Sequence, residues 1–200
     1  MAKIKLSKNE LKSQRESLKR FMRYLPTLTL KKQQIQMELR KIEASLDKKT
    51  EVYENLHSAI MKWVAVFAEQ VDLEALISAK ELRTGTNNIA GIDIPVFEDL
   101  EFTNVPYNLF YMPFWVDRAV EVLKEFATLA IEVEILEYQQ KLLSEELRIT
   151  TQRINLFEKI KIPEARENIR IIRIYLGDQQ IAAVVRGKIS KNKIIRSQAV

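Results

Sequence analysis

Apolar residues recur along residues 11–67 at alternating steps of three and four. The series reads Leu11, Gln14, Leu18, Phe21, Leu25, Leu28, Lys32, Ile35, Leu39, Ile42, Leu46, Lys49, Tyr53, Leu56, Ile60, Trp63 and Phe67. Only Gln14, Lys32 and Lys49 break its apolar character, and the positions between are mostly Lys, Arg, Glu, Gln and Ser. A 3.5-residue repeat held this long marks a coiled-coil helix, because such a seam keeps facing one partner only if the helices supercoil. The helix is therefore long and narrow, and it requires a partner along its length.

Ser7 with Glu10 three residues on has capping-box spacing and sets the start of this helix. Pro26 falls inside it, but the apolar phase continues across, so Pro26 is expected within one helix rather than at its end. The dense turn signal Thr84-Gly85-Thr86-Asn87-Asn88 is expected to stop the helix at about Leu82. At the α-helical rise, residues 7–82 would form a rod about 110 Å long.

Residues 88–114 differ in texture. Asn88–Ile94 and Val96–Phe102 read as a small β-hairpin or pair of extended segments with Pro95 between them. Tyr107, Phe110, Tyr111, Phe114 and Trp115 follow as an aromatic cluster. That cluster suits a plug for the end of the coiled coil or a docking surface for another protein.

A second seam begins after Pro113: Ala119, Val122, Phe126, Leu129, Val133, Leu136, Gln140, Leu143, Leu147, Thr150, Ile154 and Phe157. It slips near Pro163 and resumes as Ile162, Ala165, Ile169, Ile172 and Leu176. The predicted architecture is all-α: one elongated domain over residues 1–200, a long antiparallel two-helix coiled coil with a small β-hairpin or irregular segment at the turn. Its parts are a helix over 7–82, a hairpin and aromatic segment over 88–114, a helix over 114–186 and a basic tail over 187–200. If the chain folds back about residue 98, Lys49 lies opposite Glu145 and Glu146, and one of these is its expected partner. Replacing Lys49 by Leu is then expected to stabilise the pair.

Charge is polarised along the chain. Residues 1–25 carry eight basic side chains against Glu10 and Glu16, a balance of +6. Residues 182–200 carry five and no acid, so a total of +5 leaves the middle at −6. Antiparallel pairing would gather Arg15, Lys19, Arg20 and Arg23 with Arg186 and Lys188 at one tip. Scarce glycine and proline, four and five residues, favour helix over a many-turned β fold. With no cysteine there is no disulfide or thiolate site. The stretch beginning Met1-Ala2-Lys3 has no apolar signal core, and no bilayer-spanning run is expected.

The residues argue against catalysis. His57, the one histidine, flanks the seam. Gly187-Lys188-Ile189-Ser190 lacks the earlier glycine of a phosphate loop, since Ala182 stands there. Glu145-Glu146 and the pair Glu132 and Glu134 sit on solvated helix. No catalytic residue, cofactor or metal ligand is expected, and no nucleic-acid recognition fold is visible. A coiled-coil scaffold or a membrane-surface adaptor remains the alternative class.

Several local stretches resemble the D subunit of the A/V-type ATP synthases. Leu28-Thr29-Leu30-Lys31-Lys32 is similar to that family's Leu-Leu-Lys-x-Lys block. Asn88-Ile89-Ala90-Gly91-Ile92-Asp93-Ile94-Pro95 resembles its Asn-Val-x-Gly-Val-x-Val-Pro segment. Thr151-Gln152-Arg153-Ile154-Asn155-Leu156-Phe157-Glu158, with Ile162-Pro163 after it, resembles its Arg-Arg-Val-Asn-Ala-Leu-Glu and Ile-Pro block. Leu176–Ile181 departs from it, lacking the family's acidic, arginine-containing run. The resemblance implies a central rotor shaft, non-catalytic, with the terminal end inside the catalytic ring. It further implies as partners the catalytic and non-catalytic ring subunits, the F subunit and a membrane-ring adaptor, and a cytoplasmic place peripheral to the membrane. Candidate partner-binding residues are Arg15, Lys19, Arg20, Arg23, Arg186, Lys188, Tyr107, Phe110 and Tyr111.

Overall fold

The computed structural model describes residues 4–63, 76–104 and 112–198. Among the described residues the fold is mostly α-helical with one two-stranded antiparallel hairpin. In order, α1 spans Lys8–Trp63, β1 Ile77–Ile89, β2 Ile92–Asn104 and α2 Val116–Asn155. A π-helical turn over Leu156–Lys161 then leads into α3, Ile162–Gln198. The chain divides into two compact units, one over Lys31–Ile149 and the other formed by the described residues up to Leu30 together with those from Thr150 onward.

In the unit over Lys31–Ile149, α1 and α2 lie antiparallel. Lys31 Nζ donates to Glu146 Oε1 at 2.8 Å, Lys49 pairs with Glu132, and the Tyr53 and Phe126 rings stack with centroids 4.7 Å apart. Ile35, Ile42 and Leu143 are buried between the helices together with Ile94 of β2. The hairpin thus lies along the helix pair instead of capping its end. Its base, at Leu76 and Ile77, packs with Met112, Trp115, Val116 and Val120. Its turn region, at Ile89, Ala90 and Ile92, packs near Ile35 and Leu143.

The two-residue turn explains how the strands close. Ala90 and Gly91 have φ of 53° and 80°. Two consecutive positive values are the type I′ signature, whose twist matches that of paired strands. Asn88 fastens the turn, accepting from the Gly91 N–H at 3.0 Å and donating to Asp93 Oδ1 at 2.6 Å.

Four sequence expectations change here. The first helix does not reach Leu82, because β1 already begins at Ile77. Thr84–Asn88 is the body of a strand and not a helix stop; polar residues suit its exposed side. The hairpin is longer than expected and its centre is earlier. Ile89 faces Ile92, and Pro95 lies inside β2 opposite Thr86. That earlier centre also corrects the partner of Lys49. Ile77–Asn104, Lys49–Glu132 and Lys31–Glu146 are all placed about a point near Ala90, not residue 98. Moving the fold-back point by about eight residues moves the opposite residue by about twice that. Lys49 therefore meets Glu132, and Glu146 meets Lys31.

In the second unit, Ser7 Oγ accepts from the Glu10 N–H at 3.2 Å, the predicted N-cap. Pro26 lies within α1, which continues through it. The first part of α1 is antiparallel to the end of α2 and to α3. Phe21 and Phe157 meet with centroids 5.2 Å apart, and Asn168 Nδ2 donates to Gln14 Oε1 at 3.5 Å. Gln14 in turn donates to Glu10 Oε1 at 2.8 Å, so a seam position that is not apolar is held in a polar layer.

The slip in the second seam has a backbone cause. From Phe157 to Ile162 the seam advances five residues, where three or four is the rule. Those residues form the π turn, and the Ile162 N–H donates to Phe157 O, five residues back. Pro163 follows immediately, in the first turn of α3. A proline has no N–H to give an α-helical neighbour, and a wider turn before it relieves the clash with the preceding carbonyl. Ile162, Ala165, Ile169 and Ile172 are buried after the turn, so the extra residue restores the apolar phase.

Candidate functional site

The basic residues of the first helix sit on its solvent side because they fall between seam positions. Arg15, Lys19, Arg20 and Arg23 are all exposed, while Leu11, Leu18 and Phe21 turn inward. Antiparallel packing of α1 on α3 sets Arg15 and Lys19 beside Arg166 and Arg173. These four cations surround an open groove whose floor is Leu18, Met22 and Ile169, about 570 Å³ in volume. Among the described residues no acid contributes to its lining. Arg166 and Arg173 bracket the seam residue Ile169 at three and four residues' distance, which projects them along its two sides. They were not among the sequence candidates; only the pairing register brings them to Arg15.

Arg20 and Arg23 lie outside that groove, and Arg20 donates to Ser17 Oγ at 3.2 Å. Arg186 and Lys188 are also exposed but do not join it. They belong to the last stretch of α3, beyond Leu176, where from Asp178 to Ser197 only Ala182 is better than exposed. Ile181, Val184, Val185, Ile189 and Ile195 are open to solvent on that stretch. Tyr107, Phe110 and Tyr111 lie outside the described residues. Their neighbour Phe114 is fully exposed.

One ion pair near the groove perturbs titration. Arg170 donates from Nε and Nη2 to both carboxylate oxygens of Glu167, at 2.9 and 2.6 Å. This bond holds the Glu167 carboxyl below its ordinary value; desolvation opposes it, and the guanidinium charge adds to the lowering. Arg170 is raised by the same contact.

This arrangement combines charge with apolar surface, which suits binding. Four cations over an apolar floor can receive acidic or amphipathic surface from another protein. His57 stacks beside Tyr53 and Phe126, with ring centroids 6.3 and 6.0 Å away, as part of the helix packing. Among the described residues no His, Cys, Asp and Glu group could hold a metal ion. No helix among them is long and apolar enough to cross a membrane.

The family model for the ATP synthase D subunit matches residues 10–192. The chain is 48% identical over 196 residues to a V-type ATP synthase D subunit of Borreliella burgdorferi, covering 98% of this chain and 97% of the relative. It is 31% identical to one of Chlamydia felis, covering 96% and 94%. For one of Chlamydia trachomatis the identity is 31%, covering 96% and 97%.

Proposed function

Because the chain belongs to the ATP synthase D-subunit family, we propose that it is the central-stalk rotor component of a V-type ATP synthase. In this reading it transmits torque between the ring of catalytic and non-catalytic ATP-binding subunits and the ion-translocating rotor in the membrane. It is non-catalytic; its partners bind and turn over the nucleotide. The F subunit and a membrane-ring adaptor hold it, and it works in the cytoplasm, peripheral to the membrane.

The observation that carries this reading is the seam. Every member of the first-helix series from Leu11 to Ile60 is partly or fully buried. A shaft must resist twisting, and side chains interlocked along two antiparallel helices resist it better than a helix with solvent on all sides. The exposed cations serve a different need. Screened charge attracts the surrounding ring from a distance and guides assembly, but it makes few directional contacts that would hinder turning.

The test is reconstitution with the catalytic ring at low and moderate salt. Arg15, Lys19, Arg20 and Arg23 are replaced by Glu together with Arg186 and Lys188. Helical content of the isolated chain is expected to stay within a few per cent of the parent, since these side chains are exposed. Assembly and coupled ATPase activity are expected to fall. If the altered chain assembles and supports turnover like the parent at both salts, the cations have no part in this function.

A further inference from the structure

Among the described residues the sheet has two strands and so two unpartnered edges, and they differ. The β2 edge is blunted: it carries Pro95, which has no N–H to leave unpaired, and the Gln139 side chain of α2 donates to the Pro95 carbonyl. β1 has no proline over its 13 residues, and β2 is its one strand neighbour among the described residues. Such an edge is a template for a further strand.

The surface beside it is apolar and open. Leu82 of β1 shares a groove of about 560 Å³ with Ile131, Ile135 and Tyr138 of α2. Leu82 faces Leu100 across the hairpin, so both point to the helix side of the sheet. Leu100 is buried, yet Leu82 is 44% exposed and Tyr138 52%. The sheet's inner face is thus filled under β2 and open under β1. Among the described residues Glu134 and Glu137 form the rim against Lys141 alone, which leaves it acidic.

We propose that β1 is a docking edge for an extended segment of a partner protein, which adds to it as a third strand. Its helix-side residues, every second one along the strand, are apolar where they cover Leu82 and Tyr138 and basic where they reach Glu134 and Glu137. A strand satisfies both observations, the unpaired edge and the groove beside it; a helix in the groove would leave the edge unpaired. A second copy of this chain is disfavoured by charge, because it would bring its own Glu134 and Glu137 against these. Lys80 and Arg83 of β1 do not guard the edge, since both are drawn to Glu101 across the hairpin. The inference rests on membership of an ATP synthase, not on the rotor role.

Hydrogen exchange read by mass spectrometry tests it on the full chain, alone and within the purified ATP synthase that contains it. Peptides covering Ile77–Ile89 are expected to exchange at least tenfold more slowly in the complex. Leu82→Lys with Tyr138→Lys, at two already exposed positions, is expected to return β1 to within about twofold of its free rate while α1 and α2 keep theirs. Should that pair prevent incorporation, Glu134→Lys with Glu137→Lys is measured instead, and loss of most of the β1 protection supports the proposal. Four results overturn it: β1 exchange unchanged in the complex; protection of residues 131–141 without β1; protection that survives both variant pairs; or protection that tracks the concentration of the isolated chain, which would make the occupant a second copy.

Discussion

The π turn and Pro163 are expected to depend on each other, and deleting one residue reveals it. Lys159 lies in the turn with its side chain in solvent. Its removal brings Phe157 and Ile162 to a four-residue step, so an ordinary α-helix would keep the seam in phase. The cost falls on Pro163, now deep within a continuous helix, where the missing hydrogen bond and ring clash amount to about 3 kcal/mol. Pro163→Ala alone keeps the extra residue, and therefore the π turn, and loses only the proline's restriction of the unfolded chain, roughly 0.4–1 kcal/mol. The deletion combined with Pro163→Ala is expected to cost less than about 1 kcal/mol relative to Pro163→Ala by itself, because nothing then opposes a regular helix. Urea unfolding followed by circular dichroism measures this. With a slope of about 1–3 kcal/mol per molar, the single deletion lowers the midpoint by about 1–3 M and the combined variant recovers most of it. Equal losses with and without Pro163 would refute the coupling and assign the π turn to some other cause.

Ala90 holds a positive φ that costs an L-residue about 1 kcal/mol, so Ala90→Gly is expected to raise the thermal midpoint by a few degrees; an unchanged or lower midpoint argues against the strain. For Lys49 and Glu132 a double-mutant cycle is expected to give about 0.5–1 kcal/mol of coupling that shrinks in salt. Lys49→Leu alone leaves the half-buried Glu132 without its cation and should destabilise, which reverses the sequence-based expectation; a gain in stability would contradict it. By NMR, Glu167 is expected to titrate below the ordinary glutamate value. Its bond to Arg170 contributes above the unfolded-state value and is lost as pH falls through the lowered folded value, a small effect at so exposed a site. Arg170→Ala should move the titration upward, and an unmoved curve would discount the bond.

The helical pairing was legible because burial selects every third or fourth residue, and Leu11 through Ile60 obey that rule whatever the partner. The five-residue step from Phe157 to Ile162 was equally plain in the sequence, though its backbone meaning needed the hydrogen bond from Ile162 to Phe157. The fold-back point was not legible. A type I′ turn usually announces itself with Asn or Gly at its first position, and here Ala90 stands there, while the polar run Thr84–Asn88 imitates a loop on an exposed strand. That error in position carried forward to Lys49. The basic groove was half visible: Arg15 and Lys19 followed from local charge, but Arg166 and Arg173 lie some 150 residues away and enter only through register.

The placement of pairs about Ala90 also makes segment lengths in the Lys31–Ile149 unit interdependent. Seven residues added to α1 between Ile35 and Lys49 would misalign Lys49 and Glu132 unless α2 gained seven between Glu132 and Leu143. That matched gain adds about 10 Å of helix. The hairpin, whose base packs at Val116 and whose turn packs at Ile35 and Leu143, would then fall short by the same distance. At the rise of a strand it would need about three more residues in each of β1 and β2. Four separate stretches of sequence are therefore tied to one dimension. Relatives with longer or shorter versions of this unit should differ by whole heptads in the two helices and by proportionate increments in the two strands, never in one stretch alone.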